Sequence, residues 1–260
     1  MAGRVRVEKG DGLGWIVFDH LERRNAITND MWRAIPGAAR ELDADPEVRV
    51  VLLRGAGETA FVSGADISEF EQLRSGESSR SYDDDNAHAF LALSNIRKPV
   101  IAMIHGFCVG GGCALSLTAD LRYCADDAVF AIPAARLGLG YATGGLETLA
   151  RVVGLPSAKE IFFTARRFDA KNALRLGLVN ELLPKAELEP YVRKVAAQIA
   201  SNAPLTLRSA KLSFREIALP PAERDRAALE QAIAACYASD DYAEGVRAFL
   251  EKRSPQFRGS

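Results

Sequence analysis

Two stretches of this chain carry glycines where main-chain N–H groups can meet a reacting carbonyl: FVSGADI at Phe61 to Ile67, and HGFCVGGGCAL at His105 to Leu115. Each reads as a strand running into a helix start, where the first N–H groups lack partners and the helix dipole favours negative charge. Two such N–H groups aimed at one point form an oxyanion hole, and glycine suits them because a substrate carbonyl must approach the backbone closely. Glycine also serves tight helix packing, so neither stretch is specific alone. Tyr141 lies in LGLGYATGG (Leu137 to Gly145), between Arg136 and Glu147, and adds a phenol. The acidic run Asp83, Asp84 and Asp85, followed by His88, reads first as a solvated helix start.

Other chemistries lose support. The chain has no GxSxG elbow and no Walker lysine motif, and Gly10, Gly12 and Gly14 sit in a hairpin rather than between a strand and a helix. His20, His88 and His105 lack metal-ligand spacing, and no acidic cluster has the rhythm of a calcium loop, so no metal site is expected. Cys108, Cys113, Cys124 and Cys236 form no CxxC pair and lie in apolar stretches, which reads as reduced, structural thiols. With 33 basic against 34 acidic side chains there is no global positive field, and no nucleic-acid partner is expected. No run of 18 uncharged apolar residues occurs, and none follows the basic start Met1 to Arg6. The expectation is a cytoplasmic protein that does not enter a membrane.

The elements that must hold these groups follow from pattern. At 260 residues, 48% apolar and 26% charged, the chain can bury one large core. Val5 to Glu8 and Trp15 to Asp19 predict a hairpin around Gly10 to Gly14. Thr28 or Asn29 can cap a helix running toward Leu42, with a kink or break expected at Pro36–Gly37. Val48 to Arg54, Pro99 to His105, Leu121 to Ala125, Val129 to Ile132 and Leu178 to Leu183 read as strands covered on both faces. Helical patterns at Asn86 to Ile96, Cys113 to Ala119, Leu146 to Val153, Ser157 to Thr164 and Ala170 to Leu176 separate them, giving an α/β fold. After Leu183 only helix remains, with one apolar stripe through Leu229, Ile233, Cys236 and Tyr237 and another through Tyr242, Val246, Phe249 and Leu250. Such stripes pack on a neighbouring subunit or on the chain's own core.

In order along the chain, ERRNAI (Glu22 to Ile27), FVSGADI, KPVIAMIHGFCVGGGCALSLTADL (Lys98 to Leu121), FAIPAARLGL (Phe130 to Leu139), Gly144–Gly145, FFTARRFDAKNALRLGLVNELLP ending at Pro184, and FLEKRSPQF resemble the enoyl-CoA hydratase/isomerase, or crotonase, superfamily. The resemblance spans nearly the whole chain. It implies a spiral of ββα units over residues 1–200, a helical trimerisation region over 201–260, and a homotrimer or a hexamer built from two trimers. It also implies a coenzyme A thioester substrate, with coenzyme A entering as part of the substrate and no separate cofactor. The thioester oxygen would be held by the N–H groups of Ala65 and Gly111. Coenzyme A would be met by Arg24, Asn25, Ser63, Ala65 and Ile67, and by Phe249 and Lys252 of the last helix, Lys252 facing a phosphate as a point charge.

The chain departs from the family's hydratase pattern at two positions. Hydratases of this family carry glutamate after the glycine run and after the next strand's proline, where this chain has Ala114 and Ala134. A methyl group neither orients water nor moves a proton, and each positioned acid or base contributes roughly 100- to 10,000-fold in rate. Two further kinds of branch lose support: the Δ3,Δ2-enoyl-CoA isomerases need the second of those glutamates, and the dienoyl-CoA isomerases and haloacyl-CoA dehalogenases place an aspartate before the later glycines, where this chain has Ala142. Tyr141 and the terminal SDDYAEGVRAFLEKR resemble the methylmalonyl-CoA decarboxylase branch, although that branch has histidine where this chain has Ala65. The leading expectation is a decarboxylase- or lyase-like enzyme working through a thioester enolate. The alternatives are a hydratase or isomerase with another acid or base, and a coenzyme A ester-binding protein without catalysis.

Overall fold

In the computed structural model, which describes residues 2–69 and 78–260, β1 (Arg4–Gly10) and β2 (Leu13–Asp19) pair antiparallel. The turn between them puts Asp11 at φ 52° and Gly12 at φ 74°, the pair of left-handed residues that matches the twist of a tight hairpin. The expected hairpin is therefore present, with β1 longer by one residue at its start and two at its end, β2 longer by two at its start, and the turn shortened to Asp11–Gly12.

The first long helix, α1 (Asn29–Ala44), is capped by Thr28, whose hydroxyl accepts from the Met31 N–H at 3.3 Å. It passes through Pro36 without ending, which corrects the expected break. Proline inside a helix costs about 3 kcal/mol, but Met31, Trp32, Ile35, Ala38, Ala39 and Leu42 are all buried on one face. Burying large apolar side chains contributes about 1.5 to 3 kcal/mol each, enough to hold the helix across its missing hydrogen bond.

Strands then alternate between two sheets. β3 (Val50–Gly55), β5 (Val100–Ile104) and β7 (Leu121–Ala125) lie parallel in a six-stranded sheet of order β1-β2-β3-β5-β7-β10, closed by β10 (Glu181–Leu183). β4 (Ala60–Val62), β6 (Phe107–Val109) and β8 (Val129–Ala131) lie parallel in a four-stranded sheet that ends on β9 (Phe168–Asp169). Each turn of the chain thus lays one strand in each sheet before a helix: α2 (Ser78–Ser94) after β4, α3 (Gly111–Leu117) after β6, and α4 (Thr143–Val153) with α5 (Leu155–Thr164) after β8. This is the expected spiral of ββα units.

The large sheet is covered on both faces, as its continuous apolar strands predict. Val51 and Leu53 of β3 pack with α1, α2 and α3, while Val50 and Leu52 face α7 (Lys185–Ala200) through Leu188, Val192 and Ala196. The strand expected from Leu178 begins only at Glu181. Leu178 is still tied to the end of α6 (Ala170–Arg175), its N–H donating to the Ala173 carbonyl at 2.9 Å after Gly177 turns left-handed at φ 72°. α8 (Pro204–Ile217), α9 (Arg226–Tyr237) and α10 (Asp240–Leu250) complete the chain with helix alone.

Candidate active site

The two glycine-bearing stretches meet. Gly64 stands at φ 119° and Gly110 at φ 54°, conformations that L side chains rarely adopt. A Cβ on Gly110 would lie 4.0 Å from the Gly64 Cα and 3.9 Å from the Pro133 Cδ, so three successive turns of the spiral converge at this point. Gly112 is fixed by close approach, because a Cβ there would stand 2.2 Å from the Val62 carbonyl oxygen. The start of α3 is thereby pressed onto the end of β4.

This packing leaves two N–H groups unpaired. The segment after β4 runs beside the approach to α1: the Ile27 N–H donates to the Gly64 carbonyl at 2.8 Å, and the Asp66 N–H donates to the Ile27 carbonyl at 2.9 Å. Those bonds bracket Ala65, whose own N–H finds no acceptor among the described residues. Gly111 is the first residue of α3, and its N–H likewise finds no acceptor among the described residues. The Ala65 nitrogen lies 3.8 Å from the position a Cβ on Gly111 would take. Two free donors beside one small space can hold a developing oxyanion.

Around this space stand apolar groups and one phenol. Ala134 is buried, and Ala114 is half-buried in the first turn of α3. The Tyr141 ring packs edge-on against Phe162, 5.3 Å between centroids, and lies close over Gly145, where a Cβ would meet it at 2.8 Å. Burial, with a smaller contribution from the neighbouring Cys113 sulfur, pushes the Tyr141 hydroxyl up to about 12, so at neutral pH it is an uncharged donor. That hydroxyl has no hydrogen-bond partner among the described residues. The Trp32 ring closes another side, Cζ2 standing 3.3 Å from the Gly111 Cβ position, and its indole N–H donates to the Tyr82 hydroxyl at 3.2 Å. Sequence pattern gives no sign of this placement, since a tryptophan on the apolar stripe of α1 reads as ordinary core.

The other expected residues fall into three groups. Arg24, Ser63 and Ile67 lie together near Ala65: the Ser63 N–H donates to the Arg24 carbonyl at 3.2 Å, the Ser63 hydroxyl to the Arg23 carbonyl at 3.1 Å, and Ile67 is 71% exposed. Arg24 stands at φ 52° with its guanidinium 4.8 Å from the Phe107 ring centre. Asn25 is different, because its side chain is 1% exposed and points inward. Its amide nitrogen donates to the Ala56 and Ala60 carbonyls at 3.0 and 2.8 Å, and its oxygen accepts from the His20 N–H at 3.0 Å. The side chain expected to contact coenzyme A therefore anchors β4, its amide already committed inside the fold. Phe249, 82% exposed, borders a cavity of about 650 Å³ between α8, α9 and α10 whose lining includes none of Ala65, Gly111 or Tyr141. Lys252 follows α10 at φ 55°. No hydrogen bond, ion pair or ring contact joins Phe249 or Lys252 to the two donors among the described residues.

The charged neighbours are paired or solvated. Glu147 reaches Arg151 one turn on at 3.9 Å, Asp85 pairs with Arg33 at 2.8 Å, and Arg136, Asp84 and His88 are exposed. No cluster of three or more His, Cys, Asp or Glu among the described residues has the geometry to hold a metal ion. Cys108, Cys113 and Cys124 are buried free thiols, and burial pushes Cys124 up to about 12. No helix among the described residues is long and apolar enough to cross a membrane.

These features match known proteins along the whole chain. A sequence model of the enoyl-CoA hydratase/isomerase family matches residues 8–260. The chain is 35% identical to a crotonyl-CoA hydratase of Syntrophomonas wolfei, with 97% of each chain covered. It is 33% identical to a short-chain-enoyl-CoA hydratase of Clostridium acetobutylicum, covering 96% of this chain and 95% of that one. The crystal structure of an enoyl-CoA hydratase from Bacillus anthracis superposes with a TM-score of 0.92 at 30% identity, over 99% of this chain and 100% of the other. With the spiral, the paired free N–H groups and these matches in hand, the chain belongs to the enoyl-CoA hydratase/isomerase, or crotonase, superfamily.

Proposed function

We propose that this enzyme decarboxylates a malonyl-type coenzyme A thioester by stabilising the resulting enolate between the Ala65 and Gly111 N–H groups. The carrying observation is the pair of unpartnered donors beside Ala114 and Ala134, with a neutral phenol as the nearby polar group. In the reaction the bond from the α-carbon to the carboxylate breaks. Its electron pair moves toward the thioester oxygen, CO₂ leaves, and the α-carbon then takes a proton delivered from water. The step needs no strong base, which suits a site walled by methyl groups. The two N–H groups bind the charge as it develops, and loss of one such donor costs roughly 100- to 1,000-fold in rate. The Tyr141 hydroxyl orients the departing carboxylate or the water that supplies the proton. The adenosine end of coenzyme A lies beside Arg24, Ser63 and Ile67, where an exposed guanidinium is already stacked on Phe107.

Phe249 and Lys252 meet coenzyme A from a neighbouring copy in this reading, and the enzyme is a homotrimer or a hexamer. The support is the apolar surface of the last three helices, on which Phe214, Phe249 and Leu250 are 74%, 82% and 76% exposed. Buried reduced thiols support a cytoplasmic location.

A second reading, hydration of a short enoyl-CoA, is favoured by the names of the Clostridium and Syntrophomonas relatives. It requires a proton carrier other than side chains at positions 114 and 134. The two readings separate when the protein is incubated with malonyl-, methylmalonyl-, ethylmalonyl-, crotonyl- and 3-hydroxyacyl-CoA and products are followed by mass. Release of CO₂ from a malonyl-type ester supports the proposal, and efficient hydration of crotonyl-CoA with inert malonyl esters replaces it by the second reading. Tight binding without turnover of any ester would identify a coenzyme A ester-binding protein.

A further inference from the structure

The side chain nearest the position of a Cβ on Gly111 is tryptophan. The Cζ2 and Cη2 atoms of Trp32 lie 3.3 and 3.5 Å from the position of a Cβ on Gly111, and the Ala65 nitrogen lies 3.8 Å from the same position. Covalent geometry puts that position about 2.5 Å from the Gly111 nitrogen, so the benzo edge stands within about 7 Å of both donors. The ring is held in place. Trp32 is 1% exposed and Tyr82 is 2% exposed, the indole N–H donates to the Tyr82 hydroxyl at 3.2 Å, and Phe90 meets the indole edge-on at 5.3 Å. Tyr82 and Phe90 both belong to α2, so moving the indole would break a buried hydrogen bond and an aromatic contact together.

From this arrangement we infer that Trp32 sets the acyl-chain length, restricting the enzyme to short acyl groups. The inference rests on the reading of Ala65 and Gly111 as thioester-oxygen donors. An acyl group whose oxygen meets both donors begins its path within reach of the indole edge. A longer chain must displace a locked ring, whereas a smaller side chain at position 32 would open space as deep as the indole itself. A single methylene in such an apolar site changes selectivity by about 10-fold or more, so the effect is readily measured.

The test uses saturated thioesters, whose binding requires no turnover. Full-length wild type, Trp32→Leu and Tyr82→Phe are titrated calorimetrically with butanoyl-, hexanoyl- and octanoyl-CoA, with circular dichroism as the check on folding. Wild type is expected to bind octanoyl-CoA at least about 10-fold more weakly than butanoyl-CoA. Trp32→Leu should cut that difference to less than about threefold while leaving butanoyl-CoA affinity within about threefold. Tyr82→Phe keeps the ring and removes the indole's acceptor, and should reduce the difference by about threefold. Equal wild-type affinity for all three thioesters overturns the inference and leaves the donor assignment intact. So does undiminished discrimination in a folded Trp32→Leu protein or, should that variant not fold, in Tyr82→Phe. Failure of every thioester to bind wild type overturns the coenzyme A ester reading, and this inference with it.

Discussion

Asn25 ties the loop after β2 to the strand that leads to Ala65, and its removal can be followed in both stability and binding. Asn25→Ala deletes three interior hydrogen bonds, to the Ala56 and Ala60 carbonyls and from the His20 N–H. Each group left unpaired costs about 1 to 3 kcal/mol. The residue also stands at φ 57°, which asparagine tolerates and alanine does not, for about 1 kcal/mol more. Taking the low end for each bond, the expected loss is about 4 kcal/mol, beyond most single substitutions. Asn25→Gly relieves the backbone term and should recover about 1 kcal/mol, which separates conformation from hydrogen bonding. Urea unfolding gives the stability change, and calorimetry with acetyl-CoA in the folded range shows whether loosening β4 displaces the Ala65 donor. A folded Asn25→Ala protein that loses less than about 1 kcal/mol would refute the view of Asn25 as the anchor of β4.

Gly111→Pro removes an N–H at the first position of α3, where proline suits a helix, and should lower turnover by roughly 100-fold or more with thioester affinity largely kept; a fully active, folded variant would remove Gly111 from the oxyanion hole. Introducing Ala114→Glu and Ala134→Glu together should raise crotonyl-CoA hydration more than either change alone, because two carboxylates would act on one water; strictly additive small gains would show that the two positions do not face a common site. The Tyr141 hydroxyl, raised from 10 to about 12 by burial, holds its proton more tightly in the folded state than in the unfolded one. Its contribution to stability is therefore full below about pH 10 and declines as pH rises toward about 12, and Tyr141→Phe should flatten that alkaline loss in melts at about pH 9 and about pH 11.

The sheet interior was legible because its strands are covered on both faces: Val100 to Ile104 is an unbroken apolar run, and all five residues are at most 1% exposed. β4 and β6 show in the sequence only as strand ends before the two glycine stretches, without bounds, and β9 leaves no sign, since two or three residues are too few to show any periodicity. Pro36 misled in the opposite direction, because local propensity carries no information about six buried neighbours on the same helix. At the site, the glycine stretches announced backbone donors, and the fold supplied the convergence that no spacing could. Asn25 and Trp32 were obscured for a shared reason: a residue type says little about which way its side chain is turned, inward to a strand in one case and toward the start of α3 in the other.

The donors at Ala65 and Gly111 belong to the main chain, and this has a consequence for how the enzyme can change over time. Every amino acid except proline carries an N–H, so ordinary substitution at position 65 leaves the donor in place provided that the new side chain fits. Position 111 is limited by the Trp32 ring rather than by chemistry. The two donors are thus inherited with the backbone, whatever side chains stand near them. A lineage can exchange the side chains around these donors without losing the donors themselves.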